Sequence, residues 1–273
     1  MSRRLLAVAT LAVAAVALSA CSGGSAPENA SDGTAGSAGS EYGLVQDGTL
    51  TVATEGTYRP FSFHGEGGSG ELTGFDVEII QAVADKLGLE VQFQETQWDA
   101  IFAGLDAGRF DVIANQVSIN DEREEKYLFS EAYTVSPGVI VVAEDDDSIS
   151  SFDDLAGKTT AQSLTSNWYD LATEAGANVE AVEGWAQAVE LLRQGRVDAT
   201  VNDKLTFLDY ETTNSPSGLK IAAETDEAGE QAFVFTKDKE ALVEAVDAAL
   251  EELRADGTLA EISDKYFGED VTQ

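Results

Sequence analysis

Apolar positions along the chain switch repeatedly between a two-residue and a 3.6-residue period, and the switches mark out elements. Residues 49–54 (TLTVAT) read as a strand. Residues 74–87 place Val77, Ile80, Val83, Ala84 and Leu87 on one helical face, and Gly88 ends that helix. Residues 89–95 alternate as a strand, 98–107 read as a helix, and 110–117, rich in β-branched side chains, as a buried strand. This strand-helix-strand-helix-strand order predicts a mainly parallel sheet with helices on its faces. After Pro137 the same grammar returns. It gives strands at 138–142, 159–162, 179–182 and 197–201, with helices at 168–175, 185–194 and 204–210. The tail holds a strand at 231–235, an amphipathic helix at 239–256 and a last helix from Gly257 to Gly268.

The two halves contain a repeat. Trp98, Gly108, Arg109, Asp111 and Asn115 recur at a constant offset as Trp185, Gly195, Arg196, Asp198 and Asn202. Each copy is a helix, a Gly-Arg turn, a strand, and polar residues at the strand's carboxyl end, where open α/β sheets take their ligands. The expected architecture is therefore α/β and two-lobed, with a cleft between the lobes. Lobe 1 is expected to comprise 46–137 plus 233–273, and lobe 2 to comprise 138–232, so the chain crosses between them twice.

Candidate chemistry sits at those strand ends. The strand at 110–117 runs into Ser118-Ile119-Asn120, and Asn120 reads as a helix N-cap followed by Asp121, Glu122 and Glu124. Arg123 stands among these acids. With the Ser118 hydroxyl and the helix N–H groups it makes a seat for a carboxylate. The plainer alternative is that Arg123 offsets its acidic neighbours on a solvated face. Lobe 2 offers Asn202 and Asp203 in the corresponding place. The opposite charges suit a zwitterion, with its carboxylate on Arg123 and its ammonium on Asp203 and Glu55. Asp203 also reads as the N-cap of the helix beginning at Lys204, and the two roles are compatible. In the loop after the first strand Tyr58 is assigned to the ligand, and Phe61 and Phe63 to the core. His64, before a Gly-rich turn, has no partner for catalysis.

Composition narrows the classes. Sixteen Lys and Arg face 50 Asp and Glu, a net charge of −34 over 273 residues, which repels nucleic acid and anionic lipid headgroups. One Cys and one His exclude an intrachain disulfide and most His/Cys metal sites, and no cofactor is expected. The source of the acidity, a saline habitat or compositional bias, stays open. At the N-terminus Arg3-Arg4 precede an apolar run at 5–18, too short to span a bilayer and suited to a signal peptide over 1–20. Leu18-Ser19-Ala20-Cys21 resembles a bacterial lipobox, with Cys21 as the lipidated residue. Gly, Ser and Ala dominate the stretch that follows, and residues 21–45 are expected to form a flexible tether. The folded part is then anchored at the outer face of the membrane, exported by the general secretory route rather than the twin-arginine one.

Gly74-Phe75-Asp76-Val77-Glu78-Ile79 resembles the signature of family 3 extracellular solute-binding proteins, the receptors of polar amino acid ABC importers. Glu55-Gly56-Thr57-Tyr58, Gln97-Trp98-Asp99, Asn115 through Arg123, and the ending Asp256-Gly257-Thr258 with Lys265-Tyr266-Phe267-Gly268 match as well. The likeness runs from Gly48 to Gly268. It implies a hinged, periplasmic-binding-protein-like fold of type II and a monomer that closes on an amino acid and docks on a permease. By position it implies Tyr58 and Trp98 flanking the ligand. Gln116 joins the site, Ser118, Arg123 and Thr165 lie at the α-carboxylate, and Glu55 and Asp203 at the ammonium. Asn115-Gln116-Val117, the segment 161–167 and Asn202-Asp203-Lys204-Leu205 look most like cystine-binding members. Glutamine is the alternative ligand, weakened because glutamine-binding relatives often carry a lysine near Ala161 and this chain has none there. A cyclohexadienyl dehydratase-like enzyme and a signalling module are the other readings. The expectation is a binding receptor and not an enzyme.

Overall fold

The computed structural model describes residues 42–273. The expected signal peptide, Cys21 and nearly all of the tether at 21–45 lie outside them. Tyr42 and Leu44 pack against the first core, and the Val45 N–H donates to Asp111 at 2.8 Å, so ordered packing begins ahead of residue 46.

Labels follow chain order. The first sheet runs β5 (Glu90–Glu95), β1 (Thr49–Thr54), β6 (Val112–Ser118), β14 (Gly229–Thr236), β7 (Tyr127–Phe129), and β8 (Thr134–Ser136) also pairs with β14. β1 is parallel to both neighbours, and β14 returns antiparallel to β6. The side-chain alternation of β6 explains why its whole length is buried: Val112 and Ala114 face one helix layer, Ile113 the other. On one face α2 (Phe75–Leu87) and α8 (Glu240–Ala255) bury Ile79, Ile80, Val83, Leu242, Val246 and Leu250, and α9 (Thr258–Phe267) adds Leu259. On the other face α3 (Trp98–Asp106) buries Trp98, Ile101 and Leu105. A small antiparallel sheet, β2 (Thr57–Tyr58), β3 (Ser62–His64) and β4 (Leu72–Thr73), caps this lobe, with one helical turn α1 (Gly65–Gly68) in the Gly-rich stretch. Gly74 is required before α2, since a Cβ there would lie 2.1 Å from the Phe61 carbonyl oxygen.

The second sheet has β12 (Thr200–Asp203), β9 (Gly138–Ala143) and β13 (Leu219–Glu224) in the order β12-β9-β13. The parallel pair β10 (Thr159–Gln162) and β11 (Asn178–Ala181) extends it through a bridge from Thr160 to Ala199. Helices α5 (Asn167–Glu174), α6 (Trp185–Arg193) and α7 (Lys204–Thr213) cover it. The crossings between the sheets run from β8 through Pro137 to β9, and from β13 to β14. Thr225 ties the two together: its N–H donates to the Gly138 carbonyl at 2.9 Å, and its hydroxyl accepts from the Gly138 N–H at 3.1 Å. Gly138 leaves room for Trp168, whose ring a Cβ would meet at 2.5 Å.

Two sequence expectations change, and one strand is added. β12 begins at Thr200 rather than 197, because Asp198 turns to accept the Thr159 N–H at 2.8 Å before the strand starts. The strand β13 had no clear sequence signal. Phe63 is only half-buried and lies beneath the Arg59 guanidinium, 3.8 Å from ring centre to Cζ, whereas Phe61 is fully in the core as expected.

Candidate functional site

The carboxyl ends of β1, β6, β10 and β12 open onto one cleft. Lobe 1 contributes Glu55, Tyr58, Trp98, Asn115 and Gln116 to its wall, and lobe 2 contributes Gln162, Trp168, Trp185 and Asn202. All three tryptophans of the chain are in this wall. The repeat explains the arrangement. Trp98 and Trp185 are the first residues of α3 and α6, Asn115 lies at the middle of β6, and Asn202 is next to the end of β12.

Each asparagine fixes a neighbour. The Asn115 amide donates to Glu55 Oε2 at 2.8 Å, and its oxygen accepts from the Glu55 N–H at 2.8 Å and from Thr54 Oγ1 at 3.1 Å. The Asn202 oxygen accepts from the Asp203 N–H at 2.8 Å and from the Tyr58 hydroxyl at 2.9 Å, a bond that crosses the cleft. Thr206 also donates to the Tyr58 oxygen at 3.1 Å, and Arg59 pairs with Asp209 at 3.2 Å. The lobes are thus in direct polar contact.

Burial raises the pKa of both acids assigned to the site. Burial pushes Glu55 up to about 7, the Asn115 hydrogen bond pulls back, and the charges of Asp99 and Glu183 push further. Asp203 is 1% exposed, and burial lifts it to about 6. Its Oδ1 accepts from Ser136 Oγ and from the Leu205 N–H, each at 2.8 Å, so Asp203 is the N-cap of α7. Its Oδ2 has no hydrogen-bond partner among the described residues.

Arg123 is placed differently from the other candidates. It is 8% exposed and faces an adjoining depression with Asn120, Thr165 and Asp170 rather than the main cleft. Trp98 stands between, with the guanidinium carbon 5.4 Å from its ring centre and equally 5.4 Å from that of Phe102. Arg123 Nη1 donates to the Ser118 carbonyl at 2.8 Å, and Nη2 reaches the Thr165 carbonyl at 3.5 Å. Burial lowers its pKa to about 10, against the opposing pull of Asp170 and Glu122. The solvated-face alternative for Arg123 is therefore wrong: it is buried, and its acidic neighbours are not its hydrogen-bond partners. Ser118 engages it through the backbone oxygen. Thr165 Oγ1 donates to Asp99 Oδ1 at 2.7 Å, a further bridge between the lobes.

The structure thus puts Glu55, Tyr58, Trp98 and Gln116 in the main wall, Arg123 and Thr165 beside it, and Asp203 and Ser118 outside both sets of lining residues. From the sequence, Gln162 and Trp168 have no expected wall role, Asn202 is offered to the cleft from lobe 2, and Asn115 and Trp185 are parts of the repeat or of a matching motif. The repeat itself was the signal for those three. His64 lies apart from the cleft, with Nδ1 against the Gly70 carbonyl at 2.8 Å and Nε2 against Glu95 at 3.1 Å.

Comparison with known proteins agrees with this geometry. Residues 50–269 match the bacterial extracellular solute-binding proteins, family 3. The L-cystine-binding protein TcyA of Bacillus subtilis is 49% identical over 276 residues, covering 100% of both chains. A probable amino-acid ABC transporter-binding protein of Haemophilus influenzae is 54% identical over 225 residues, 82% of this chain and 87% of that one. Among solved structures, an ancestral arginine-binding protein bound to arginine is 37% identical and superposes with a TM-score of 0.76, covering 81% of this chain and 99% of its own. The L-cystine solute receptor of Neisseria gonorrhoeae, unliganded and open, is 46% identical yet reaches only 0.57, covering 82% and 95%. The more similar sequence thus superposes less well. These relatives are named as binding proteins or receptors, not enzymes. The chain belongs to the bacterial extracellular solute-binding proteins of family 3.

Proposed function

We propose that the protein is the receptor of an amino acid ABC importer, that it takes a polar amino acid, L-cystine first, between its lobes, and that it delivers the ligand to a permease. The carrying observation is the cleft: four aromatic rings and a set of buried amides from both lobes, at the carboxyl ends of four strands, with a buried arginine beside it. Full-length likeness to an L-cystine-binding relative supports the choice of ligand. Arg123 serves the α-carboxylate, with Ser118 and Thr165 at the same end. Glu55 and Asp203 serve the ammonium, and Tyr58, Trp98 and Gln116 hold the body of the ligand.

In this reading the ligand bridges the lobes and shifts the population toward the closed form. The protein works as a monomer outside the membrane, held to its outer face by a lipid on Cys21. No helix among the described residues is long and apolar enough to cross a membrane. Isothermal titration of the soluble form, cut after Cys21, against cystine, glutamine, glutamate, arginine and histidine tests the reading. Binding of cystine alone at about micromolar or tighter is the expected result. Silence across the panel would overturn it, and preference for another amino acid would overturn the choice of cystine. Incorporation of labelled palmitate into wild type and not into Cys21→Ser tests the anchor.

A further inference from the structure

The Gly74-Phe75-Asp76 turn has no part in the proposed grip on the ligand, yet it contributes a carboxylate to the floor beneath the cleft. Asp76, the second residue of α2, is 0% exposed. Its Oδ2 accepts from the backbone N–H of Gln116 and from the Tyr133 hydroxyl, the latter at 2.9 Å. Its Oδ1 has no partner among the described residues. Burial pushes its pKa up to about 7, the two hydrogen bonds pull back, and the charge of Asp203 pushes further.

Gln116 is unusual in its backbone. At φ 51° it is the only non-glycine with positive φ among the described residues. L side chains avoid that region unless their surroundings impose it. The ladder slips here: Val117 pairs with Ala232 and Ile113 with Val234, so Ala114, Asn115 and Gln116 stand opposite Phe233 alone. The bulge turns the Gln116 N–H to Asp76, while its side chain lines the cleft. Gln116 is 6% exposed, and neither end of its amide makes a hydrogen bond of ordinary geometry, although it lies close enough to Asp203 to lower that group's pKa. Tyr133 stacks on Phe233 at 4.4 Å and so fixes the second donor to Asp76 from the same stretch of β14.

We propose that Asp76 is a positioning residue for ligand binding: its carboxylate captures the Gln116 N–H, holds β6 in the left-handed bulge, and thereby presents the Gln116 amide to the ligand. The inference rests on the amino acid-binding reading. The competing role, an acid that only favours the N-terminus of α2, is indifferent to what stands at position 116.

A double-mutant cycle separates the two, read by titration with L-cystine, or with whichever amino acid of the panel binds. Asp76→Ala is expected to weaken binding by about tenfold or more in the wild-type background. Asp76→Asn, whose amide oxygen accepts the same two hydrogen bonds, is expected to stay within about threefold. In a Gln116→Gly background, where φ 51° costs nothing and no amide remains to be aimed, Asp76→Ala is expected to add less than about threefold. Equal losses in both backgrounds, or none in the first, would overturn the proposal. A readout without ligand covers a failure of Asp76→Ala to fold. In the wild-type protein the Gln116 amide proton is expected far downfield, held by a carboxylate, and to move upfield in Asp76→Asn. A resonance unmoved by that change would overturn the positioning role. If wild type binds no amino acid of the panel, the functional reading fails, and the amide resonance alone decides the role of Asp76.

Discussion

Lobe 1 and lobe 2 end their repeated strands in the same way and then part. In both, a tryptophan opens a helix, and an asparagine of the following strand fixes a neighbouring residue of the cleft: Asn115 holds Glu55, and Asn202 holds Tyr58 from across it. In both, the next helix is capped by a side chain. The difference is the cap. Asn120, neutral, accepts the Arg123 N–H at 2.9 Å and leaves the α4 (Asp121–Lys126) terminus beside a buried cation. Asp203, itself an anion, accepts the Leu205 N–H at 2.8 Å. One frame thus supplies matched aromatic and amide walls, and opposite charge is added just beyond it. In the proposed reading the repeat sets where the ligand sits, and the residues that break the repeat set which end of the ligand goes where.

Five substitutions and a pH series test that contrast. The largest expected effect is structural. Trp98 is 7% exposed and packed with Ile101, Ile113 and Phe102, so Trp98→Ala is expected to cost about 3–5 kcal/mol of stability. Trp185 is half-buried, and Trp185→Ala should cost roughly half that. Denaturant melts of the two variants compare the copies directly, and equal losses would mean the lobes embed their tryptophans alike. Next comes Arg123→Ala, expected to weaken amino acid binding by about 2–5 kcal/mol, since a ligand carboxylate loses its buried partner. Unchanged affinity by titration calorimetry would remove Arg123 from the carboxylate end.

Asp203→Asn is expected to weaken binding by about 1.5–3 kcal/mol, the range for a hydrogen bond to a charged group. Its melting temperature should hold, because asparagine caps a helix as well as aspartate does. A collapse of stability with affinity intact would make the residue purely structural. A smaller effect is the response to pH. Glu55 and Asp203 sit at about 7 and about 6, above their ordinary 4.5 and 3.8, so the folded protein retains protons that the unfolded chain has released. Their contribution to stability therefore falls as pH rises between roughly 4 and 7. Affinity should move the other way, because an ammonium needs the carboxylates ionised. Titrations in buffers of different ionisation enthalpy at pH 6 should show proton release on binding, and affinity flat from pH 5.5 to 8 would count against the ammonium assignment. The smallest effect is expected from Arg59→Ala. Its side chain is 45% exposed in the pair with Asp209, and such pairs contribute about 0–1 kcal/mol. Affinity should change by less than about fivefold. A larger loss would make this contact a main latch of closure.

Much of this was legible in the sequence. Periodicity marked the main helices and the buried strands, and the tryptophan-asparagine repeat located the cleft. What escaped has physical causes. β13 reads Leu-Lys-Ile-Ala-Ala-Glu, a mostly half-buried edge strand whose small and charged residues blur the alternation. Phe63 looked like core because its side chain is apolar, but what covers it is the stem and guanidinium of Arg59. The left-handed turn at Gln116 carries no glycine to announce it. It depends on Asp76, 40 residues away, and on the unequal count of residues in two strands. Arg123 was recognisable as a candidate from its local motif. Its seat behind Trp98, and its reach to Thr165 42 residues on, follow from packing that no local pattern encodes.

In the proposed reading two oppositely charged half-sites grip the two ends of a zwitterion. The most direct test is titration of the wild-type protein with L-cystine, with cystamine, which lacks both carboxylates, and with 3,3′-dithiodipropionate, which lacks both ammonium groups. The account expects cystine to bind and each analogue to bind at least about 100-fold more weakly, a loss of about 2.7 kcal/mol or more for the missing partner. An analogue that binds as tightly as cystine would show that the half-site facing its missing group does not hold the ligand.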